Sequence, residues 1–236
     1  MWMKLNILYE DKDILVVYKP AFISSQEERG AGVDMISMIR NYYAKKGIGN
    51  VDVHVVHRLD KPVAGIMVYA LNKRAAAGLS KAISQSGFNK EYYAVLTNIP
   101  ENFNEEKPKD KYTLRNFLLR DGRNNISKIV ADSSIKEAKE AVLDYEITMK
   151  AEVDSQKMYL AKIKLHTGRH HQIRVQFSGN NAPLYGDKKY NMNAGQQNEG
   201  IALCAYKLEF EHPVTKRKLS FQIKPDNSIF QKFDFK

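Results

Sequence analysis

Cysteine is nearly absent: Cys204 stands alone in 236 residues. A single thiol leaves no internal disulfide and no cysteine-based metal cluster. Its setting, Ile201-Ala202-Leu203-Cys204-Ala205-Tyr206, reads as strand, so a small buried packing residue is expected there. Long apolar runs are missing as well. No stretch approaches the ~18–20 consecutive apolar residues of a membrane span. The start, Met1-Trp2-Met3-Lys4-Leu5-Asn6, lacks the apolar core of a secretory signal. These absences point to a soluble cytoplasmic protein without a membrane partner. No internal repeat and no clear linker is visible, so residues 1–236 are read as one domain, expected to work as a monomer. A chain of this length can bury roughly 70–75% of its unfolded surface. Acidic residues are in deficit, 27 against 37 basic ones, which leaves a formal charge of +10. That balance favours an anionic partner, most commonly nucleic acid.

Short β-rich runs dominate what is present. Ile7-Leu8-Tyr9 and Ile14 to Tyr18 flank the polar turn Glu10-Asp11-Lys12-Asp13 and read as a hairpin. Lys19-Pro20 stops the second strand, because proline donates no ladder hydrogen bond. Asp34 to Lys46 looks helical, with Ile36, Ile39 and Tyr43 on one face and Gly47 at the end. Val51 to Val56 reads as a strand, and Gly65 to Ala70 as the next. Asn72 can cap a helix running to about Ser86, with Ala75, Ala76, Leu79 and Ile83 at helical spacing and Gly87 closing it. Strands are expected again over Tyr92 to Leu96, Ala141 to Ile147, Tyr159 to Leu165, Ile201 to Phe210 and Leu219 to Ile223. Pro100 to Lys111 and Asn191 to Gly200 read as exposed loops. The class is α+β around a largely antiparallel or mixed sheet.

Three segments set polar or charged residues beside strand-like apolar runs, where a rigid scaffold usually presents functional groups. They are Val55-Val56-His57-Arg58-Leu59-Asp60-Lys61-Pro62, Lys90-Glu91-Tyr92-Tyr93-Ala94, and Leu165-His166-Thr167-Gly168-Arg169-His170-His171-Gln172-Ile173-Arg174-Val175. Taken alone, Asp60 is an ordinary turn or N-cap aspartate, and Arg174 an ordinary strand arginine. In series, however, His57-Arg58-Leu59-Asp60 with Gly65 five positions on, Lys90-x-Tyr92-x-Ala94, and Thr167-Gly168-Arg169-x-His171-Gln172-Ile173-Arg174 resemble the motifs of the RluA family of pseudouridine synthases. Ile14 to Pro20, Pro183-Leu184-Tyr185-Gly186-Asp187 and His212-Pro213 resemble its further landmarks. The resemblance covers nearly the whole chain.

The resemblance implies the pseudouridine synthase catalytic fold, with a central, mostly antiparallel mixed sheet and two lobes flanking a basic cleft. It implies isomerisation of uridine in structured ribosomal or transfer RNA without a cofactor or metal. By resemblance, Asp60 is the expected catalytic carboxylate, close to the sugar. Burial raises a carboxyl pKa by up to ~3–5 units and a nearby cation lowers it by ~1–3. A basic neighbour can therefore decide the charge, and by resemblance that neighbour is Arg174. The resemblance implies that Tyr92 stacks on the uracil and helps remove its C5 proton, while Tyr93, on the opposite strand face, is left to packing. By resemblance, Arg58 is expected to stabilise the gap left by a flipped uridine, and His57 is read as structural. Lys61, Arg169, Lys188 and Lys189 are read as phosphate contacts. The Lys216-Arg217-Lys218 turn reads first as a solvated charged face.

Some features depart from the family. Lys61-Pro62-Val63-Ala64-Gly65 lacks the hydroxyls usual before the glycine, and His170 replaces a threonine. The hairpin at Ile7 leaves no room for the small RNA-binding domain with which many relatives begin, so RNA selection is expected from the catalytic domain's own loops. A metal site at His166, His170 and His171 is rejected, because no carboxylate or cysteine spacing accompanies them and neighbouring strand residues diverge. Two competing readings are an inactive RNA-binding protein of the same fold and a glycosidase or nuclease with paired carboxylates. For the latter no second carboxylate stands in a similar context.

Overall fold

The computed structural model describes residues 4–27, 32–85, 87–107, 110–194 and 200–235. Ser86, which the sequence placed at the end of a helix, lies outside the described residues, as do 108–109 and 195–199 of the two expected loops. The chain divides into two compact units, Met1–Lys90 with Ala205–Lys224, and Glu91–Cys204 with Pro225–Lys236. Together they are α+β, with eleven strands and three α-helices among the described residues.

In the first unit, β1 (Asn6–Glu10) and β2 (Ile14–Lys19) form the expected antiparallel hairpin. β2 also runs antiparallel to β4 (Ala64–Ala70), which neighbours both the short β3 (His54–Val55) and β10 (Leu203–Glu211), the latter paired antiparallel with β11 (Lys218–Gln222). Alternate residues of β2 point to opposite faces, yet Ile14, Leu15, Val16 and Val17 are all fully buried, so this part of the sheet is covered on both sides. On one face Ile14, Val16, Ile66, Val68, Leu208 and Phe210 pack with Ala75 and Leu79 of α2 (Lys73–Ser84). The helix N-caps behave as expected: Asp34 accepts from the Ser37 N–H at the start of α1 (Met35–Lys45), and Asn72 from the Ala75 N–H at the start of α2. The expected strand over Val51–Val56 shrinks to β3, His54–Val55. Its remaining apolar positions lead into a loop held by side chains rather than by a ladder.

In the second unit the strand order is β5 (Phe88–Leu96, in this unit from Glu91), β9 (Gln156–Leu165), β8 (Lys139–Val153), β6 (Tyr112–Asp121) and β7 (Ile126–Val130). Each runs antiparallel to the next. Asp154 and Ser155, both at positive φ, make the tight turn between β8 and β9. β6 and β7 were not anticipated, although Tyr112, Leu114 and Leu118 keep strand parity. The third motif brings a correction: its end is helix, not strand. His171 turns the chain at φ 54°, and α3 (Gln172–Gly179) follows with Val175 packed on Leu118 and Ala141. Every side chain from Gln172 to Phe177 is buried, so the segment shows no polar face from which a helical period could be read.

Candidate active site

In the first unit, the loop carrying Asp60 alternates between anchor and display. His57 and Leu59 are buried, Arg58 is exposed and Asp60 half-buried. His57 Nε2 accepts the Val68 N–H at 3.1 Å, tying the loop to β4, and its ring meets Phe88 edge-on at 5.0 Å. Burial, with help from the Lys90 charge, pushes the imidazole pKa down to about 3, so it serves as a neutral acceptor. This supports the structural role given to His57.

A second segment runs antiparallel beside this loop and holds its backbone. Ser25 Oγ donates to the Leu59 carbonyl at 2.7 Å and accepts the Leu59 N–H at 3.1 Å. The Phe22 N–H donates to the Lys61 carbonyl at 2.7 Å, and Arg58 Nη1 reaches Gln26 Oε1 at 3.3 Å. Lys19, 0% exposed, donates from Nζ to the carbonyls of Ile23 (2.7 Å), Pro20 (3.0 Å) and Lys61 (3.2 Å). Burial lowers its pKa to about 7, against the pull of the Asp60 carboxylate. The Val63 N–H closes a turn onto the Asp60 carbonyl at 2.9 Å. With the usual hydroxyls replaced by Pro62-Val63-Ala64, backbone bonds and Lys19 thus hold the loop. Gly65 is required by close approach. It sits at φ 142°, and a Cβ there would fall 2.5 Å from the Ala205 carbonyl oxygen.

The second unit carries the other two expected catalytic residues. Tyr92, 5% exposed, pairs with Ile163 across β5 and β9, while Tyr93 packs edge-on against Phe235 at 5.2 Å. The two rings leave opposite faces of the strand, as the motif requires. Arg174 lies on α3 with only 4% exposure. Its Nε and Nη2 donate to Asp187 Oδ2 and Oδ1 at 2.8 and 2.6 Å, a two-pronged pairing that fixes the guanidinium plane. Tyr190 lies beneath it at 5.2 Å. Asp187 is held in turn by the N–H groups of Lys189 and Tyr190. The turn before α3 is built around Gln172, whose Oε1 accepts from Thr167 Oγ1 and from the Arg169 N–H, and whose Nε2 donates to the Val142 carbonyl.

Among the expected phosphate contacts, Lys61 and Lys188 are exposed. Arg169 and Lys189 are exposed too, but they also do local work: Arg169 Nε donates to the Glu140 carbonyl and Lys189 Nζ to the Asn125 carbonyl. The histidines do not diverge as supposed. His170 and His171 stack at 3.7 Å, with His170 Nδ1 on Ser127 and His171 Nδ1 on Tyr190, while His166 pairs with Asp144. Asp11, Asp13 and His212 bring possible ligand atoms within 4.8 Å of one another. They are engaged in a turn instead: Asp11 accepts from the Asp13 and Ile14 N–H groups, from Tyr9 and from His212. Burial alone would raise the Asp11 carboxyl, but these donors outweigh it and hold the pKa below the usual carboxylate range.

Sequence reasoning missed Lys19, Ser25 and Asp187. Lys19 was legible only as the end of a strand. A lysine closing the run Ile14 to Tyr18 was the available signal. Asp187 stood inside a recognised landmark without a partner.

The family model described as RNA pseudouridylate synthase matches residues 13–179. The ribosomal large subunit pseudouridine synthase D of Vibrio cholerae is 31% identical over 244 residues, covering 96% of this chain and 69% of that protein. The tRNA pseudouridine synthase C of Haemophilus ducreyi is 27% identical over 234 residues, covering 92% and 90%. Among solved structures, human RNA Pseudouridylate Synthase Domain Containing 1 has the same fold. It superposes with a TM-score of 0.75 over 94% of this chain and 83% of its own, at 22% identity.

Proposed function

The chain belongs to the RNA pseudouridylate synthase family, and from that premise we propose that it isomerises particular uridines of ribosomal or transfer RNA with Asp60 as the catalytic carboxylate. The reaction breaks the C1′–N1 bond, turns the uracil and joins C5 to C1′. Uracil is both leaving group and returning nucleophile, so the protein must supply a carboxylate near the sugar, a surface for the base and a basic electrostatic setting. Asp60 either attacks C1′ or takes a proton from C2′. Both routes need the carboxylate ionised and fixed in place.

One observation carries the reading: the backbone on both sides of Asp60 is held. The Leu59 amide and carbonyl are bound by Ser25, and the Lys61 carbonyl by Phe22 and Lys19. A backbone held this way fixes the point from which the carboxylate is presented, which lowers the cost of orienting it. Tyr92 is assigned to the uracil ring. Arg174, its plane set by Asp187, is assigned as the counter-charge of Asp60. Arg58, Lys61, Arg169, Lys188 and Lys189 are assigned to phosphate and to the gap left by the flipped nucleotide. Among the described residues no helix is long and apolar enough to cross a membrane.

Chemical mapping of pseudouridine in total RNA, with and without the gene, identifies the target. On that RNA, Asp60→Asn is expected to abolish product while leaving affinity nearly unchanged. Substantial residual turnover would remove Asp60 from the catalytic role.

A further inference from the structure

Phe22 combines features that packing alone does not explain. It is a large aromatic with 51% of its surface exposed, so it contributes little to the core. Its backbone lies at φ 67°, a conformation that glycine takes freely and bulky residues rarely do. The strained turn is nevertheless firmly held. The Phe22 N–H donates to the Lys61 carbonyl at 2.7 Å, and the carbonyls of Pro20 and Ile23, on either side, both accept from Lys19 Nζ. Ile23 is buried at 8% exposure and anchors the turn from below. An exposed aromatic is thus maintained against backbone preference. Its peptide is bonded to the residue after Asp60. Strain kept in place around such a group is a sign of function.

The surroundings indicate what the ring meets. Its segment runs beside the loop that exposes the cationic side chains of Arg58 and Lys61. Basic groups interleaved with an exposed aromatic form the surface that single-stranded nucleic acid uses, phosphates on the cations and a base face on the ring. We propose that Phe22 is a stacking platform for an unpaired base of the RNA substrate, close in sequence to the uridine that enters the site. The inference rests on the RNA-modifying function proposed above and adds a substrate contact to it. Phenylalanine offers no hydrogen-bonding group, so the contact favours bases by stacking strength rather than by base-edge recognition.

The test uses the whole protein and a uridine-rich single-stranded RNA 12-mer carrying one 2-aminopurine, whose fluorescence falls on stacking. Wild type is expected to bind and quench. Phe22→Gly is chosen because glycine accepts φ 67° without strain, so its melting temperature should equal or exceed that of wild type. It is expected to bind about 10-fold more weakly and to lose the quench, with Phe22→Trp restoring both. Ile48→Ser, which removes another exposed apolar side chain, should bind as wild type does. Equal affinity and quenching in the folded Phe22→Gly variant would overturn the proposal, as would failure of Phe22→Trp to restore them. Absence of wild-type binding to the 12-mer would also overturn it. None of these outcomes bears on Asp60, which is tested by turnover on the mapped RNA.

Discussion

Lys19 and Asp187 stand behind the residues proposed for chemistry and hold them or their loop in place. Lys19 gives three N–H donors to three carbonyls, the arrangement of an ammonium, yet burial lowers its pKa from the ordinary 10.5 to about 7. Because the folded value lies below the unfolded one, the unfolded chain binds more protons between pH ~7 and ~10.5. Stability therefore rises with pH across that window, and the deficit is complete below it. Lys19→Met removes this contribution. Urea titrations at pH 7 and pH 10 should show wild type gaining stability relative to the variant as pH rises; parallel behaviour would mean that the ammonium keeps its charge in the fold. Asp187 is a different case, a buried carboxylate whose job is to hold Arg174. Asp187→Asn withdraws one charge from a buried pair and should cost on the order of 3 kcal/mol, read as a lowered urea midpoint. It should also slow turnover on the mapped RNA, since the guanidinium loses the partner that sets its plane.

Among the elements, Gly65 links motif to sheet. The glycine five positions after Asp60 is forced by the approach of Ala205, whose backbone oxygen, nitrogen and Cβ all lie within 2.6 Å of where a Cβ would stand. Gly65→Ala therefore combines overpacking against backbone with an unfavourable φ. A loss of at least about 2 kcal/mol is expected in chemical denaturation; a stability within 0.5 kcal/mol of wild type (roughly the scatter of neutral surface changes) would show that β4 and β10 can move apart. Elements with clear capping and an apolar face were legible. Asp34 and Asn72 start α1 and α2 where their side chains announced it. Two kinds of element were not legible. α3 is buried all round and short, so its sequence carries no period. β3 is two residues long because His57 and Ser25, not ladder bonds, hold the loop after it.

At the scale of the whole molecule, the +10 charge is the property that acts at a distance. If RNA is the partner, neutralised phosphates release counterions and affinity falls steeply with salt, by a log–log slope of about −0.7 to −0.9 per phosphate contacted. Filter binding between 50 and 200 mM salt should show a loss of roughly 10³-fold or more for six or more contacts; a flat response would argue against the basic residues assigned to phosphate. The chain divides into two compact units, with Asp60 in the first and Tyr92 and Arg174 in the second. Of the three points where the chain changes unit, two lie inside β5 and β10, where residues must remain strand-like and no linker composition can mark the division; the third, Lys224–Pro225, follows β11.

The sequence by itself determined the family and the reaction class, and it supplied the three residues proposed for the chemistry. Motif identity is carried by side-chain type and order, and these survive without coordinates. It also determined the capped helices and most strands, whose burial on one face or both leaves a readable pattern. Only the tertiary structure decided how those residues are held: Lys19 reaching three carbonyls, Ser25 clasping Leu59, and Asp187 gripping Arg174. The partners of Ser25 and Asp187 stand 34 and 13 positions away, and Lys19 binds a carbonyl 42 positions on. Such bonds depend on chain segments meeting in space, and no local spacing encodes them.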